Sequence, residues 1–295
     1  MDVISRQRVS YMNSISSPHI VPESRPVPGP ILHILEVVHG VTTQHDCLYV
    51  VVGATARDLL LFHVFGIPAS RATMDVDFAI AVASWDRFHR MRNALLATEK
   101  FVASNVEQRL YSKEIDIPID LIPFGGVAED DAIAWPPDRG TVMTVAGFED
   151  ALAASVQVQV SLTLAIPVVS LAALAILKIF AWQDRNTMDK DAVDLYRVIS
   201  TYAEADNEDR LYDLDSPHME KFDYDPEFAG AALAGEDGRM ISSAGTVTKL
   251  RRLVTSEGFV DNLAERIRAS RWQFQPEKLP YVRAVLVAYF DELLK

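Results

Sequence analysis

Two hydrophobic rhythms divide this chain. Short continuous apolar runs alternate with amphipathic stretches up to about residue 168, and amphipathic stretches dominate afterwards. Residues 31–41 set Ile31, Ile34, Leu35 and Val38 at three- and four-residue steps, which predicts a helix. Leu48-Tyr49-Val50-Val51-Val52 is an unbroken apolar run of strand length, and predicts a buried strand. A glycine turn at Gly53 leads into a predicted helix over 54–65. Residues 73–82 read as a strand, 85–98 as an amphipathic helix, and 107–122 as two strands. Gly125-Gly126 and Pro136-Pro137 mark loops. Residues 141–146 predict another strand. Val156-Gln157-Val158-Gln159-Val160-Ser161-Leu162-Thr163-Leu164 alternates apolar and polar, the mark of a half-buried strand or hairpin that Pro167 should end. The expected fold is mixed α/β or α+β. A flexible, proline-rich arm (1–30) leads into a mixed β-sheet flanked by helices (31–168), and a helical domain (169–295) follows.

Charged residues inside the apolar segments carry the chemistry. Alternate strand residues share a face, so Asp75 and Asp77 point one way while Met74, Val76, Phe78 and Ile80 point into a core. Two carboxylates so close repel unless a cation lies between them. A hard divalent ion with oxygen ligands answers that need, and such ions also bind substrate phosphates. A third acid on a neighbouring strand would complete a two-metal site for phosphoryl transfer. Asp116 and Asp120 share one face of the strand that follows, and Asp120 is set deeper in the apolar run Ile119-Asp120-Leu121-Ile122.

The Gly53-Ala54-Thr55-Ala56-Arg57-Asp58 turn precedes these acids. The start of a helix presents unpaired N–H groups and the positive end of a dipole, which suits phosphate. Arg57, one turn into the helix, would meet either a phosphate or Asp58. Lys178 stands alone in the apolar helix 171–182, so its ammonium must find a carboxylate or a phosphate. Asp191 and Asp194, three apart on the next helix, are the natural carboxylates.

This order of parts resembles the polymerase-β-like nucleotidyltransferase superfamily. A Gly-Ser or Gly-Gly turn there precedes a paired Asp-x-Asp, and a further Asp follows on a later strand. Over residues 45–200 the chain looks most like the toxin-type AbiEii/AbiGii branch, which includes the MenT toxins. The segment Leu174-Ala175-Ile176-Leu177-Lys178-Ile179-Phe180-Ala181-Trp182 and the later Lys190-Asp191-Ala192-Val193-Asp194-Leu195-Tyr196 favour that branch. Ala54 stands where the family has Ser or Gly.

The resemblance implies an enzyme that moves a nucleotidyl group from an NTP to a hydroxyl and releases pyrophosphate. Asp75, Asp77 and Asp120 would hold two Mg²⁺ ions, with Mn²⁺ as a substitute. It assigns Asp120 the third acid position, where it would also take the proton of the attacking hydroxyl. Gly53, Ala54 and Arg57 would line the nucleotide, joined by Lys178, Asp191 and Asp194. It also implies a tRNA 3′ end as acceptor and a separate antitoxin as partner. Two other functions fit the same residues. One is modification of a small hydroxylated molecule such as an aminoglycoside. The other, suggested by Ala54, is a degenerate nucleotide-binding or interaction protein.

Bulk properties narrow the setting. The net charge of −13 is concentrated in residues 204–227, where ten acids face only Arg210 and Lys221. That segment reads as an acidic surface connector outside the chemistry. With the acids so localised, the net charge argues against promiscuous nucleic-acid binding through a broad basic surface but not against an RNA substrate. The single cysteine, Cys47, rules out an internal disulfide framework and points to a buried, inert thiol in a cytoplasmic protein. No apolar leader is visible, and the uncharged stretch 151–177 alternates and breaks like a strand followed by a helix, not a membrane span. The seven histidines show no zinc-binding spacing.

Overall fold

The computed structural model describes residues 18–68, 75–136, 139–185, 189–213, 216–273 and 275–295. Met74, the start of the strand expected at 73, Pro137 and Asp215 lie outside these residues. The chain forms two compact units, Met1–Ser170 and Leu171–Lys295. The first is a mixed sheet with helices and the second is helical, as the hydrophobic rhythm implies.

In the first unit the strands are β1 (His19–Ile20), β2 (Tyr49–Val52), β3 (Val76–Val82), β4 (Phe101–Ala103), β5 (Arg109–Ser112), β6 (Pro118–Gly125), β7 (Ala132–Ala134), β8 (Val142–Thr144), β9 (Val156–Ser161) and β10 (Leu164–Val168). The main sheet runs β1-β9-β10-β2-β3-β6-β5-β4, and β7 pairs with β8 apart from it. The strands nearest its middle have the most continuous apolar runs. All four residues of β2 are buried, and in β3 and β6 Phe78, Ile80, Ile119 and Leu121 are fully enclosed. Strand β3 is antiparallel to β2 and parallel to β6.

The helices of this unit are α1 (Gly29–Gln44), α2 (Gly53–Asp58), α3 (Trp85–Ala97) and α4 (Phe148–Ala153). Ser84 caps α3, its hydroxyl accepting from Arg87 N–H, and the helix buries Phe88, Met91 and Leu95 at helical spacing. Helix α1 packs on α3 and β10, and the short α4 packs on β2 and β6.

Three expectations are revised. The helix expected over 54–65 changes character after Asp58. Leu59–Val64 forms a wide π-type turn in which Phe65 N–H donates to Leu60 C=O. The described end of the N-terminal arm is anchored rather than loose. His19 and Ile20 pair with β9, and Arg25 donates to the carbonyls of His63 and Val64. Pro167 lies within β10 instead of ending a strand. It faces Gln157 of β9, and register with β2 begins only at Val168, so its missing N–H is tolerated.

Cys47 is 8% exposed, and burial pushes its thiol up to about 11. A chromogenic disulfide reagent at pH 8 should leave the folded protein almost unlabelled and titrate one thiol after denaturation. Rapid labelling of the native protein would contradict this burial.

The second unit comprises α5 (Leu171–Arg185), α6 (Asp189–Ser200), α7 (Glu208–Leu211), α8 (His218–Lys221), α9 (Pro226–Ile241), α10 (Ala244–Val254), α11 (Phe259–Arg271) and α12 (Leu279–Leu293). Helix α9 carries small residues where α12 crosses it. A Cβ on Gly235 would lie 2.1 Å from Tyr289 C=O, so only glycine permits this approach. No helix among the described residues is long and apolar enough to cross a membrane.

The acidic segment 204–227 is more than a surface strip. Ala205, Leu211 and Met219 are buried. Asp225 caps α9 through the N–H groups of Glu227 and Phe228. Glu227 accepts from the hydroxyls of Tyr196 and Tyr281, at 2.7 and 2.9 Å. Its negative charge thus serves helix starts and phenols as well as solvent.

Candidate active site

A single row of residues crosses four strands of the first unit. Val52 of β2 faces Asp77 of β3, Asp77 faces Asp120 of β6, and Asp120 faces Arg109 of β5. Directly opposed residues project to the same side of a sheet. Asp75, two residues before Asp77, joins that side. One carboxylate oxygen from each of Asp75, Asp77 and Asp120 lies within 4.8 Å of the others, and all three residues are partly exposed. Asp116 does not compete. It adopts a left-handed conformation (φ 52°) in the turn before β6 and never enters the strand.

The glycine turn presses against this cluster. Gly53 has φ 70°, and a Cβ there would lie 1.9 Å from Asp77 Oδ2. Glycine is therefore required twice, for its conformation and for its missing side chain. Thr55 Oγ1 donates to the carbonyl of Asp75 at 2.7 Å and ties the first acid to the helix that leaves the turn. Gly53→Ala should lower stability by about 1–3 kcal/mol through the left-handed strain and the displaced carboxylate. Urea unfolding measures this directly, and an unchanged midpoint would mean the turn is looser than described.

Arg57 is 1% exposed, and its Nε and Nη2 donate to Asp58 Oδ1 at 2.9 and 2.7 Å. The guanidinium thus lies in the interior beside its sequence neighbour. Ala54 is half-buried at the head of the same helix.

Arg109 and Thr55 are the residues that motif reading passes over. Arg109 clamps Asp120 with two bonds, Nε to Oδ1 at 2.8 Å and Nη2 to Oδ2 at 2.6 Å. The hydrogen bond to Asp120 raises the arginine further above its ordinary range, with a smaller contribution from Tyr111. The signal was the hairpin. Pairing β5 with β6 through Leu110 and Ile119 puts Arg109 opposite Asp120.

The donor set suits a hard divalent cation. It offers three carboxylates on rigid strands, partly open to solvent, and no sulfur or imidazole ligand. Such an ion would neutralise charge on a substrate phosphate and orient it.

The second unit holds a separate charged cluster. Lys178 Nζ on α5 donates to Asp191 Oδ1 at 3.0 Å and to Asp194 Oδ2 at 2.7 Å on α6. The side chains are 8%, 0% and 1% exposed. Arg185 Nη2 lies 2.8 Å from Asp191 Oδ2 as an ion pair without hydrogen-bond alignment. Sequence spacing offered either acid as the lysine's partner, and the ammonium takes both.

None of the curated proteins matches the chain. A profile of the family described as "Nucleotidyl transferase AbiEii toxin, Type IV TA system" matches residues 39–295, which include both units' charged clusters. With that match over most of its length, the chain belongs to the AbiEii family of nucleotidyltransferase toxins of type IV toxin–antitoxin systems.

Proposed function

We propose that Asp75, Asp77 and Asp120 hold two Mg²⁺ ions, replaceable by Mn²⁺, and that the NTP lays its triphosphate at the Gly53–Ala54 turn. The convergence of the three carboxylates within 4.8 Å, against a turn that only glycine permits, carries this reading. A hydroxyl oxygen attacks the α-phosphorus, the bond to the bridging oxygen of the β-phosphate breaks, and pyrophosphate leaves. Asp120 accepts the hydroxyl proton. The bound ions supply neutralisation of triphosphate charge. Asp77 on β3 and Asp75 just before it are set beside the fully buried Val76 and Phe78, so little reorganisation is needed.

The acceptor we propose is the 3′ end of a tRNA, in the cytoplasm, with an antitoxin as the restraining partner. Family membership supports the toxin role and the antitoxin partner. For Lys178, Asp191 and Asp194 we propose a joint between α5 and α6 in place of a phosphate contact, because one buried ammonium already satisfies two carboxylates.

The decisive experiment incubates the protein with each labelled NTP, total tRNA or a panel of aminoglycosides, and Mg²⁺, Mn²⁺ or a chelator. Label on tRNA 3′ ends that requires metal is the expected result. Label on an aminoglycoside would redirect the acceptor, and no transfer to any acceptor would leave a binding protein.

A further inference from the structure

Arg109 occupies a position that the proposed chemistry does not use. It is the residue directly opposite Asp120 in the β5–β6 pair, while Asp77 lies directly opposite on the other side. Both oxygens of Asp120 accept from its guanidinium. Whichever oxygen completes the three-acid cluster is therefore already held by a cation. The two partners differ in freedom. The Arg109 side chain is 34% exposed and the Asp120 side chain 16%, so the guanidinium sits on the solvent side of the pair and the carboxylate on the protein side.

We infer that Arg109 is a positioning residue that holds Asp120 before metal binds and yields it when metal arrives with a triphosphate, so that the protein takes up metal and nucleotide together. This rests on the reading of Asp75, Asp77 and Asp120 as metal ligands. A divalent ion arriving alone must displace the fork or lie beside a second cation, and like charges at such range repel. A metal–triphosphate complex brings net negative charge. It offers the guanidinium phosphate oxygens that match its planar fork as well as a carboxylate does. The exchange is carboxylate for phosphate, with no change of protonation. Until then the fork keeps Asp120 in one orientation and covers part of the acid cluster's charge.

The test is a Mn²⁺ titration read by the paramagnetic resonance of the free ion. It compares wild type, Arg109→Lys and Arg109→Gln, with and without α,β-methylene NTP analogues. Without nucleotide, both variants should bind Mn²⁺ about tenfold more tightly than wild type, as expected for losing a charge-assisted, partly exposed fork. With the analogue the order should reverse, the variants binding the nucleotide more weakly. Arg109→Lys decides between fork and charge. If it binds Mn²⁺ as wild type does and only Arg109→Gln tightens, the effect is general electrostatics and the inference is overturned. Equal Mn²⁺ affinity in all three proteins overturns it as well.

Asp77→Asn separates this from the underlying reading. If Mn²⁺ binding survives Asp77→Asn in every background, the metal site itself is misassigned, whatever Arg109 does. A measurement on the unmutated protein covers the case in which the variants fold poorly. The Arg109 Nε–H resonance should shift when Mg²⁺ and analogue are added together and stay in place with Mg²⁺ alone. A shift with Mg²⁺ alone would overturn ordered uptake.

Discussion

Asp77→Asn is expected to cut nucleotidyl transfer by about a thousandfold, because under the proposed two-metal reading it removes a ligand and with it several kcal/mol of transition-state stabilisation. Asp77 is the middle of the row. It lies against the Gly53 turn on one side and opposite Asp120 on the other. Asparagine keeps the shape, so the tight contact with the turn survives. The variant loses one of three negative charges that crowd within 4.8 Å, which relieves repulsion when no metal is present. Its melting temperature should therefore stay within about 4 °C of wild type, corresponding to about 1 kcal/mol for a domain of this size. Calorimetry and a transfer assay on the same preparation check both halves. Activity within tenfold of wild type would remove Asp77 from the metal site. A melting temperature lower by 10 °C or more would make its role structural.

Much of this site was legible because strands with a single buried rhythm leave few choices. Val76, Phe78 and Ile80 had to point inward, which fixed the side on which Asp75 and Asp77 stand. Ile119 and Leu121 did the same for Asp120. Asp116 was the weaker rival, and it shared that face only while the strand was assumed to reach it. The turn that places it at positive φ is a tertiary fact with no periodic signature. Arg109 was hidden for a related reason. Its meaning depends on the register between two strands joined by a five-residue connection, and a slip of one residue would send it to the other face. Arg57 shows the opposite limit. The sequence names its partner, Asp58, but not that the guanidinium would be buried while Asp58 stays partly exposed. Around residues 204–227 the dense charge concealed Leu211 and Met219, single apolar residues whose burial follows from where the short helices α7 and α8 fall, not from any repeat.

Lys178→Ala is expected to cost stability on the order of 3 kcal/mol, because removing one partner of a buried ion pair leaves an uncompensated charge in a low-dielectric interior. Both Asp191 and Asp194 lose their contact with the ammonium, and Asp191 keeps Arg185 at 2.8 Å. The loss should depend on pH in a definite direction. Removing a cation from beside a buried carboxylate favours its neutral form, so the native state of the variant holds a proton more readily than the unfolded chain does. Stability of the variant then falls as pH rises from about 4 toward 7, and its deficit against wild type is largest at neutral pH. Lys178→Met combined with Asp194→Asn should recover most of the loss, as a buried charged pair gives way to neutral groups of similar volume. Urea unfolding of wild type, Lys178→Ala and the double variant at pH 5 and pH 7 reads both the loss and its recovery. Transfer assayed well below the melting point then separates the two roles open to this lysine. Wild-type rates at limiting and saturating NTP assign it to the joint between α5 and α6. A raised KM for NTP at unchanged stability would instead place its ammonium on the nucleotide, and the contact with Asp191 and Asp194 would be the resting state it leaves.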